Sequence, residues 1–335
     1  MQEIVHDYTY TLKTLKLIDL AYQKVSDVND INATFTEELR PLIQTIAQYA
    51  YIGKNIHFYH DGYNTKEYHT NQPFMLVCIS GGKDSIATAK YYKDKGYTVF
   101  LYHMHGINKA YHDEYTVIPK IAELLDCPYF IQDVYLKGSH MYIEHPMKNM
   151  LIANGAIQFC LTNNLPINIA FGNYSESKLD DMEFNICAGD SRDMWDIYEK
   201  IIQNEIPDFK VHTPLKNVKE TYEILIEEKE LFENSMSCIS PFRFRKYWAK
   251  RTENKYGVRL MPNRCGCCWK CCFEYMVMAD SGMSFNREYY LHCWEILKNV
   301  ARKETGLNLT EQEIWDRYFW YPAYNTILKF WKISE

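Results

Sequence analysis

The sequence predicts an α/β fold, a parallel sheet with helices on both faces, with a helical extension before it and a cysteine-rich region after it. Three observations carry this. The apolar run Met75–Ile79 stops abruptly at Ser80-Gly81-Gly82-Lys83-Asp84-Ser85. Strand and helix patterns then alternate as far as Gly172, and segments of that length favour parallel strands joined by crossovers. Finally, Cys238, Cys265, Cys267, Cys268, Cys271 and Cys272 gather late in the chain. The expected divisions are a helical extension over 1–70, a nucleotide-binding α/β domain over 71–235 and a cysteine-rich, helical region over 236–335.

In the extension, apolar residues recur at helical spacing through Leu12, Leu15, Ile18 and Tyr22, and again through Leu42, Ile43, Ile46 and Ala47. His57, His60 and His69 sit among aromatics at spacings that match no compact metal motif, so the segment reads as an appendage. From Phe74 the pattern becomes strand, loop, helix, strand: MLVCIS, a helix through Ala87, Ala89 and Tyr92, a turn at Lys95-Gly96, and TVFLYHMHG. A helix through Val117, Ile121 and Leu125 and the strand YFIQDV follow. Pro146 opens a long helix through Leu151, Ala156 and Phe159, at the end where its missing N–H costs least. The strand INIAFG then ends in the polar turn Gly172-Asn173-Tyr174-Ser175-Glu176-Ser177. The run from Glu288 to Trp331 reads as helical and rich in Trp and Tyr.

The Ser80–Ser85 stretch has the chemistry of an anion cradle. Two glycines let the backbone turn tightly with its N–H groups inward, and the following helix presents the positive end of its dipole. Lys83 adds a cation, and the hydroxyls of Ser80 and Ser85 add donors. The loop is not the Gly-x-x-x-x-Gly-Lys-Ser/Thr pattern. Ligands of open α/β sheets lie at the carboxyl ends of strands, where this loop and the Gly172-Asn173 turn both fall. Among the charges that follow, Asp180, Asp181, Asp190, Arg192 and Asp193, some are candidates to hold magnesium or substrate.

A net charge of −6 and a pI near 6.0 argue against nonspecific binding to nucleic acid and favour a small-molecule substrate. No stretch has the length and apolarity of a membrane span, and no signal-peptide pattern is present, so the expected location is cytoplasmic. Cys78, Cys127, Cys160, Cys187 and Cys293 are isolated and read as core residues. Cys265, Cys268 and Cys271 have the spacing C-x-x-C-x-x-C, and Cys238 supplies a fourth sulfur. Four thiolates suit a closed, structural Zn2+ site, with an iron–sulfur cluster as the rival. Cys267 and Cys272 are left over.

The loop resembles the SGGxDS loop of the PP-loop ATP pyrophosphatase superfamily, whose adenine nucleotide alpha hydrolase-like fold cleaves ATP between the α and β phosphates. Joined to the cysteine cluster, it is similar to the 7-cyano-7-deazaguanine synthase family over roughly 74–273. The family's distant Cys followed by CGxCxxC falls on Cys238, Cys265, Gly266, Cys268 and Cys271. Its Pro-x-Arg-Asn motif resembles Pro146–Asn149 with Lys148 in the arginine's place, its Gly-x-Asn turn resembles Gly172-Asn173, and its Asp-Cys-Arg resembles Asp190-Ser191-Arg192. His212-Thr213-Pro214-Leu215 is similar to the family's Thr-Pro-Leu segment.

The resemblance implies an ATP-dependent ligase that converts a 7-deazaguanine carboxylate with ammonia, through an amide, to a nitrile, releasing AMP and pyrophosphate. It implies ATP held by Ser80, Gly81, Gly82, Lys83, Asp84, Ser85, Gly172 and Asn173, with Lys83, Asp84 and Ser85 catalytic and Asp84 positioning Mg2+. Lys148, Asn149, Asp190 and Arg192 would orient the substrate, and a homodimer is implied. Two alternatives stay open: a thiolating PP-loop enzyme whose cysteines carry sulfur, and a nucleotide-binding regulatory module without turnover. The final acceptor, free base, nucleic acid or protein, stays open too.

Overall fold

The computed structural model describes residues 56–60, 73–105, 114–136, 148–163, 165–176, 191–236, 242–258, 264–283, 285–310 and 312–314. Along them run β1 (Ile56–His60), β2 (Phe74–Cys78), α1 (Lys83–Asp94), β3 (Thr98–His105), a 3-10 turn (Glu114–Val117), α2 (Ile118–Leu125) and β4 (Tyr129–Leu136). There follow α3 (Lys148–Thr162), β5 (Ile169–Phe171), α4 (Arg192–Ile202), β6 (Val211–His212), α5 (Val218–Glu227), α6 (Lys229–Asn234), α7 (Phe242–Tyr256), α8 (Trp269–Asp280) and α9 (Arg287–Thr305).

The sheet order is β1-β4-β3-β2-β5-β6. Five strands, β4-β3-β2-β5-β6, form the expected parallel sheet, of which the two-residue β6 was not read as a strand from the sequence. The sixth corrects an expectation: within the extension read as helical, Ile56–His60 is a strand that pairs antiparallel with β4, Ile56 opposite Leu136 and His60 opposite Gln132. An edge strand offers a row of unpaired N–H and C=O groups, and this β-branched and aromatic segment covers it. The helical spacings at Leu12–Tyr22 and Leu42–Ala47 fall outside the described residues, as does the run beyond 314.

Side chains of β2 alternate between two cores, as the two-residue period of a strand requires. Leu76 and Cys78 face α3 and α4 with Phe100, Tyr102, Phe130, Phe159 and Trp195. Met75, Val77 and Ile79 face α1 and α2 with Leu101, Ile118 and Ile121, in a core that runs on into α5, α8 and α9. The sheet is thus covered on both faces, which explains why β2 and β3 are nearly continuous apolar runs. Cys78, Cys127, Cys160 and Cys293 are buried as expected, and Cys187 lies outside the described residues.

The chain moves outward from β2 to β3 and β4, and returns through α3 to β5 on β2's other side. Between the carboxyl ends of β2 and β5 the connections therefore part, one to α1 and the other towards α4 on the opposite face. That divergence is a topological switch point, where ligands of open α/β sheets sit in a crevice outside the strand ends. Among the described residues no helix is long and apolar enough to cross a membrane.

Candidate functional site

The loop after β2 is closed by its own hydroxyls. Ser85 Oγ donates to the Gly82 carbonyl at 3.0 Å and accepts from the Ser80 amide at 3.2 Å, while Ser80 Oγ accepts from the Gly82 amide at 3.3 Å. Gly81 holds φ at 76°, a left-handed conformation that favours glycine. Gly82 is the N-cap of α1 and brings no side-chain acceptor to the first-turn N–H groups, the ones a helix leaves without intrahelical partners. Ser80 is exposed and Ser85 buried, and their hydroxyls lie 3.3 Å apart within the turn.

Gly172 closes the crevice from the β5 side. A Cβ built there would lie 2.6 Å from the Ser85 nitrogen, 2.8 Å from the Asp84 carbonyl carbon and 2.9 Å from the Ser85 Cα. The two turns singled out in the sequence are therefore in backbone contact. Asn173, next in line, accepts from the Trp195 indole N–H at 3.3 Å, which fixes the turn to α4.

Lys83 and Asp84 form a polar knot behind the loop. Lys83 is only 4% exposed, and its ammonium donates to Asp84 Oδ1, sits 3.4 Å from the Tyr174 hydroxyl and lies 5.5 Å from the centre of the Tyr222 ring. Asp84 Oδ1 also accepts from the Tyr174 hydroxyl and from Thr221 Oγ1 at 3.2 Å. Burial pushes the Lys83 ammonium below its ordinary range, and the charge of Asp84 opposes this only in part. Burial alone would raise Asp84, but the Lys83 and Lys270 cations with the Lys83 and Tyr174 hydrogen bonds outweigh it and hold the carboxyl below its usual range. Asp84 is thus an ionised carboxylate whose side chain is 32% exposed, with Lys83 as its buried counter-ion. Tyr174, Thr221 and Tyr222 were not read from the sequence as site residues; only Tyr174 carried a signal, its place in the turn after Gly172.

The residues expected to orient substrate part company. Arg192 lies at the start of α4, and its guanidinium donates to Glu199 Oε1, to Asp196 at 2.7 Å and to the Val211 carbonyl at 2.9 Å. Glu199 Oε1 accepts in turn from the Val211 amide at 2.9 Å, so Arg192 pins α4 to β6. Ser191, beside it, is the N-cap of α4 and accepts from the Met194 amide at 3.3 Å. Asn149 is buried in the first turn of α3, which Lys148 opens. Asp190 falls outside the described residues.

His103, near the carboxyl end of β3, was missed. Its Nδ1 is 2.7 Å from the carbonyl of Ile79, the residue just before the loop, and its Nε2 is buried without a hydrogen-bond partner. A neutral ring donating from Nδ1 satisfies the carbonyl, and burial lowers the ring's pKa to about 4. In the window between that value and the ordinary pKa near ~6.5 the unfolded chain takes up a proton that the native state refuses. Stability therefore rises with pH through this window, by up to about 3 kcal/mol. His103→Gln is expected to flatten the acid limb of stability, measured as denaturant midpoints between about pH 4 and 7.

In the C-terminal region the Sγ atoms of Cys265, Cys268 and Cys271 lie within 4.8 Å of one another, all buried. Cys265 and Cys271 sulfurs are 3.8 Å apart, and tetrahedral Zn–S bonds of about 2.3 Å place sulfurs about 3.8 Å apart. Gly266 at φ 72° makes the tight turn between ligands, and Cys268 is the N-cap of α8, its sulfur accepting from the Cys271 amide at 3.4 Å. An amide N–H and a helix N-terminus both favour thiolate over thiol. The donor set fits a zinc ion held by three of the four expected ligands, and Cys238 lies outside the described residues. Cys267, half-buried, has its sulfur 3.6 Å from that of Cys265.

No protein-family model and no curated protein matches this chain.

Proposed function

We propose that this protein is a PP-loop ATP pyrophosphatase-type ligase that activates a 7-deazaguanine carboxylate by adenylation. The observation that carries the reading is the Ser80–Ser85 turn, closed by its own hydroxyls, pressed against Gly172 and fronted by the ionised, part-exposed carboxylate of Asp84. Amides of that turn and of the first turn of α1 would take the outer phosphates of ATP. Asp84 is suited to hold Mg2+ on them, because its own counter-ion is buried behind it. In this reading Lys83 acts through Asp84: it keeps the carboxylate charged and fixed.

A substrate carboxylate oxygen then attacks the α phosphorus and pyrophosphate departs. Ammonia displaces AMP to give the amide, and a second ATP takes the amide oxygen, so that elimination of AMP leaves the nitrile. Both carboxylate oxygens leave on AMP, and two ATP are used per nitrile formed. With Cys238 as a fourth ligand beside the three described sulfurs, the cluster would have no open position and would serve structure in this scheme.

The test is an incubation of the purified chain with Mg2+, ATP, 7-carboxy-7-deazaguanine and ammonium. AMP and pyrophosphate are expected only when the acid is present, and Asp84→Asn is expected to lower kcat on the order of 100-fold. Release of ADP and orthophosphate, undiminished in Asp84→Asn, overturns the reading. A requirement for a sulfur donor would instead move the protein to the thiolating class, and nucleotide binding without turnover to the regulatory one.

A further inference from the structure

The loop and the thiolate cluster are joined by buried hydrogen bonds and short stretches of backbone. The Met236 amide donates to the Gly81 carbonyl at 2.7 Å, so the residue after Ser235 holds the apex of the loop. Ser235 is gripped by Arg264: Nη2 donates to Ser235 Oγ at 2.7 Å and Nη1 to its carbonyl. Ser235 Oγ donates in turn to the Phe232 carbonyl at 2.8 Å. Arg264 Nε donates to Glu274 Oε2 at 2.6 Å, and the two side chains are 2% and 0% exposed.

Both ends of this ion pair are tied to cluster sulfurs through the backbone. Arg264 immediately precedes Cys265, and Glu274 follows Cys271 by three residues along α8. A metal drawing Cys265, Cys268 and Cys271 together therefore sets how far Arg264 stands from Glu274. The pair has little freedom to adjust, because the second Glu274 oxygen, Oε1, is buried with no partner and parting from Arg264 would strand a charge.

We propose that Arg264 and Glu274 are positioning residues that clamp the Ser80–Ser85 loop to the thiolate cluster, so that filling the cluster with zinc orders the loop and tightens the binding of nucleoside triphosphate there. The proposal rests on the phosphate-loop reading for its ligand, and on the hydrogen bonds alone for the clamp. It makes the cluster more than a staple for its own region. Coupling of this kind is reciprocal, since each ligand must favour the other by the same factor.

The experiment compares zinc-loaded and chelator-stripped full chain. Stripping is expected to speed hydrogen exchange at the amides of Gly81–Ser85 and Met236, and to weaken ATP binding about tenfold by calorimetry. Saturating ATP is expected to tighten zinc binding by the same factor. Arg264→Lys, which keeps the charge but cannot span Glu274 and both Ser235 oxygens, should retain its zinc while ATP binding weakens and the zinc–ATP coupling falls towards one. Ser235→Ala serves the same purpose should that variant fail to fold. Unchanged loop exchange and unchanged ATP affinity on stripping overturn the proposal. If the stripped chain unfolds, the zinc-loaded variants decide: loop exchange and ATP affinity equal to wild type overturn the clamp. If the zinc-loaded wild type binds no ATP, the phosphate-loop reading falls, and the clamp is then judged on loop exchange alone.

Discussion

Gly172→Ala is expected to abolish useful ATP binding and to destabilise the fold. The added methyl would meet three backbone atoms of Asp84 and Ser85 at 2.6 to 2.9 Å, closer than a Cβ tolerates. None of these is the tip of a flexible side chain, so the strain must be relieved by moving β5 or the start of α1. Overpacking of this kind costs about 1–3 kcal/mol. Here the movement would fall on the amides of Lys83, Asp84 and Ser85, the groups proposed to hold phosphate. ATP affinity should therefore drop on the order of 100-fold, beyond the loss of stability. Calorimetric titration beside a thermal melt measures both effects. Gly96→Ala is the control: Gly96 has φ 79° but nothing within 4 Å of its Cβ position, so backbone strain of about 1 kcal/mol is expected with ATP binding unchanged. Equal ATP affinities in the two variants would place the crevice elsewhere.

Glu274→Met is expected to cost about 3–5 kcal/mol, because it leaves the buried Arg264 guanidinium without its carboxylate. The double change Arg264→Met with Glu274→Met removes both charges and should recover much of that loss, since a buried pair replaced by apolar side chains is often near neutral in stability. Denaturant titration of the two single variants and the double variant closes the cycle. ATP binding should behave differently: the double variant regains stability but has no group to hold Ser235, so loop order does not return with it. A double variant as unstable as the singles would show that local packing, and not the unpaired charge, dominates the cost.

The two turns facing this crevice were legible because each breaks a strong local pattern. An apolar strand that ends in Ser-Gly-Gly-Lys-Asp-Ser, or in Gly172-Asn173, can be placed at a carboxyl end without knowing the fold, and the close fit of Gly172 against Ser85 bears out that they meet. The C-x-x-C-x-x-C spacing was legible for the same reason: ligands three residues apart at a helix start converge through local geometry. Arg192 shows where such reading runs out. Its residue type and its neighbourhood suggested a substrate contact, yet Asp196 and Glu199, one and two turns on along α4, bring carboxylates to its guanidinium.

What lies between the motifs was not legible. Lys83 and Asp84 are adjacent in sequence, but that one is buried and the other part-exposed depends on Tyr174, Thr221 and Tyr222, which arrive from the turn after β5 and from α5. The strand at Ile56–His60 depends on the exposed edge of β4, more than seventy residues later. His103 carries no motif; only the Ile79 carbonyl on the neighbouring strand gives its ring a task.

By itself the sequence determined the α/β class, four of the five parallel strands, the two turns at their carboxyl ends and the cysteine triplet. Each of these is written in periodicity or spacing over a few residues, where backbone geometry alone decides the outcome. Only the tertiary structure decided that Arg264 and Glu274 link the cysteines to the loop, and that Lys83 serves Asp84. Those links join residues far apart along the chain, and which charges pair in a low-dielectric interior is settled by packing that no local pattern encodes.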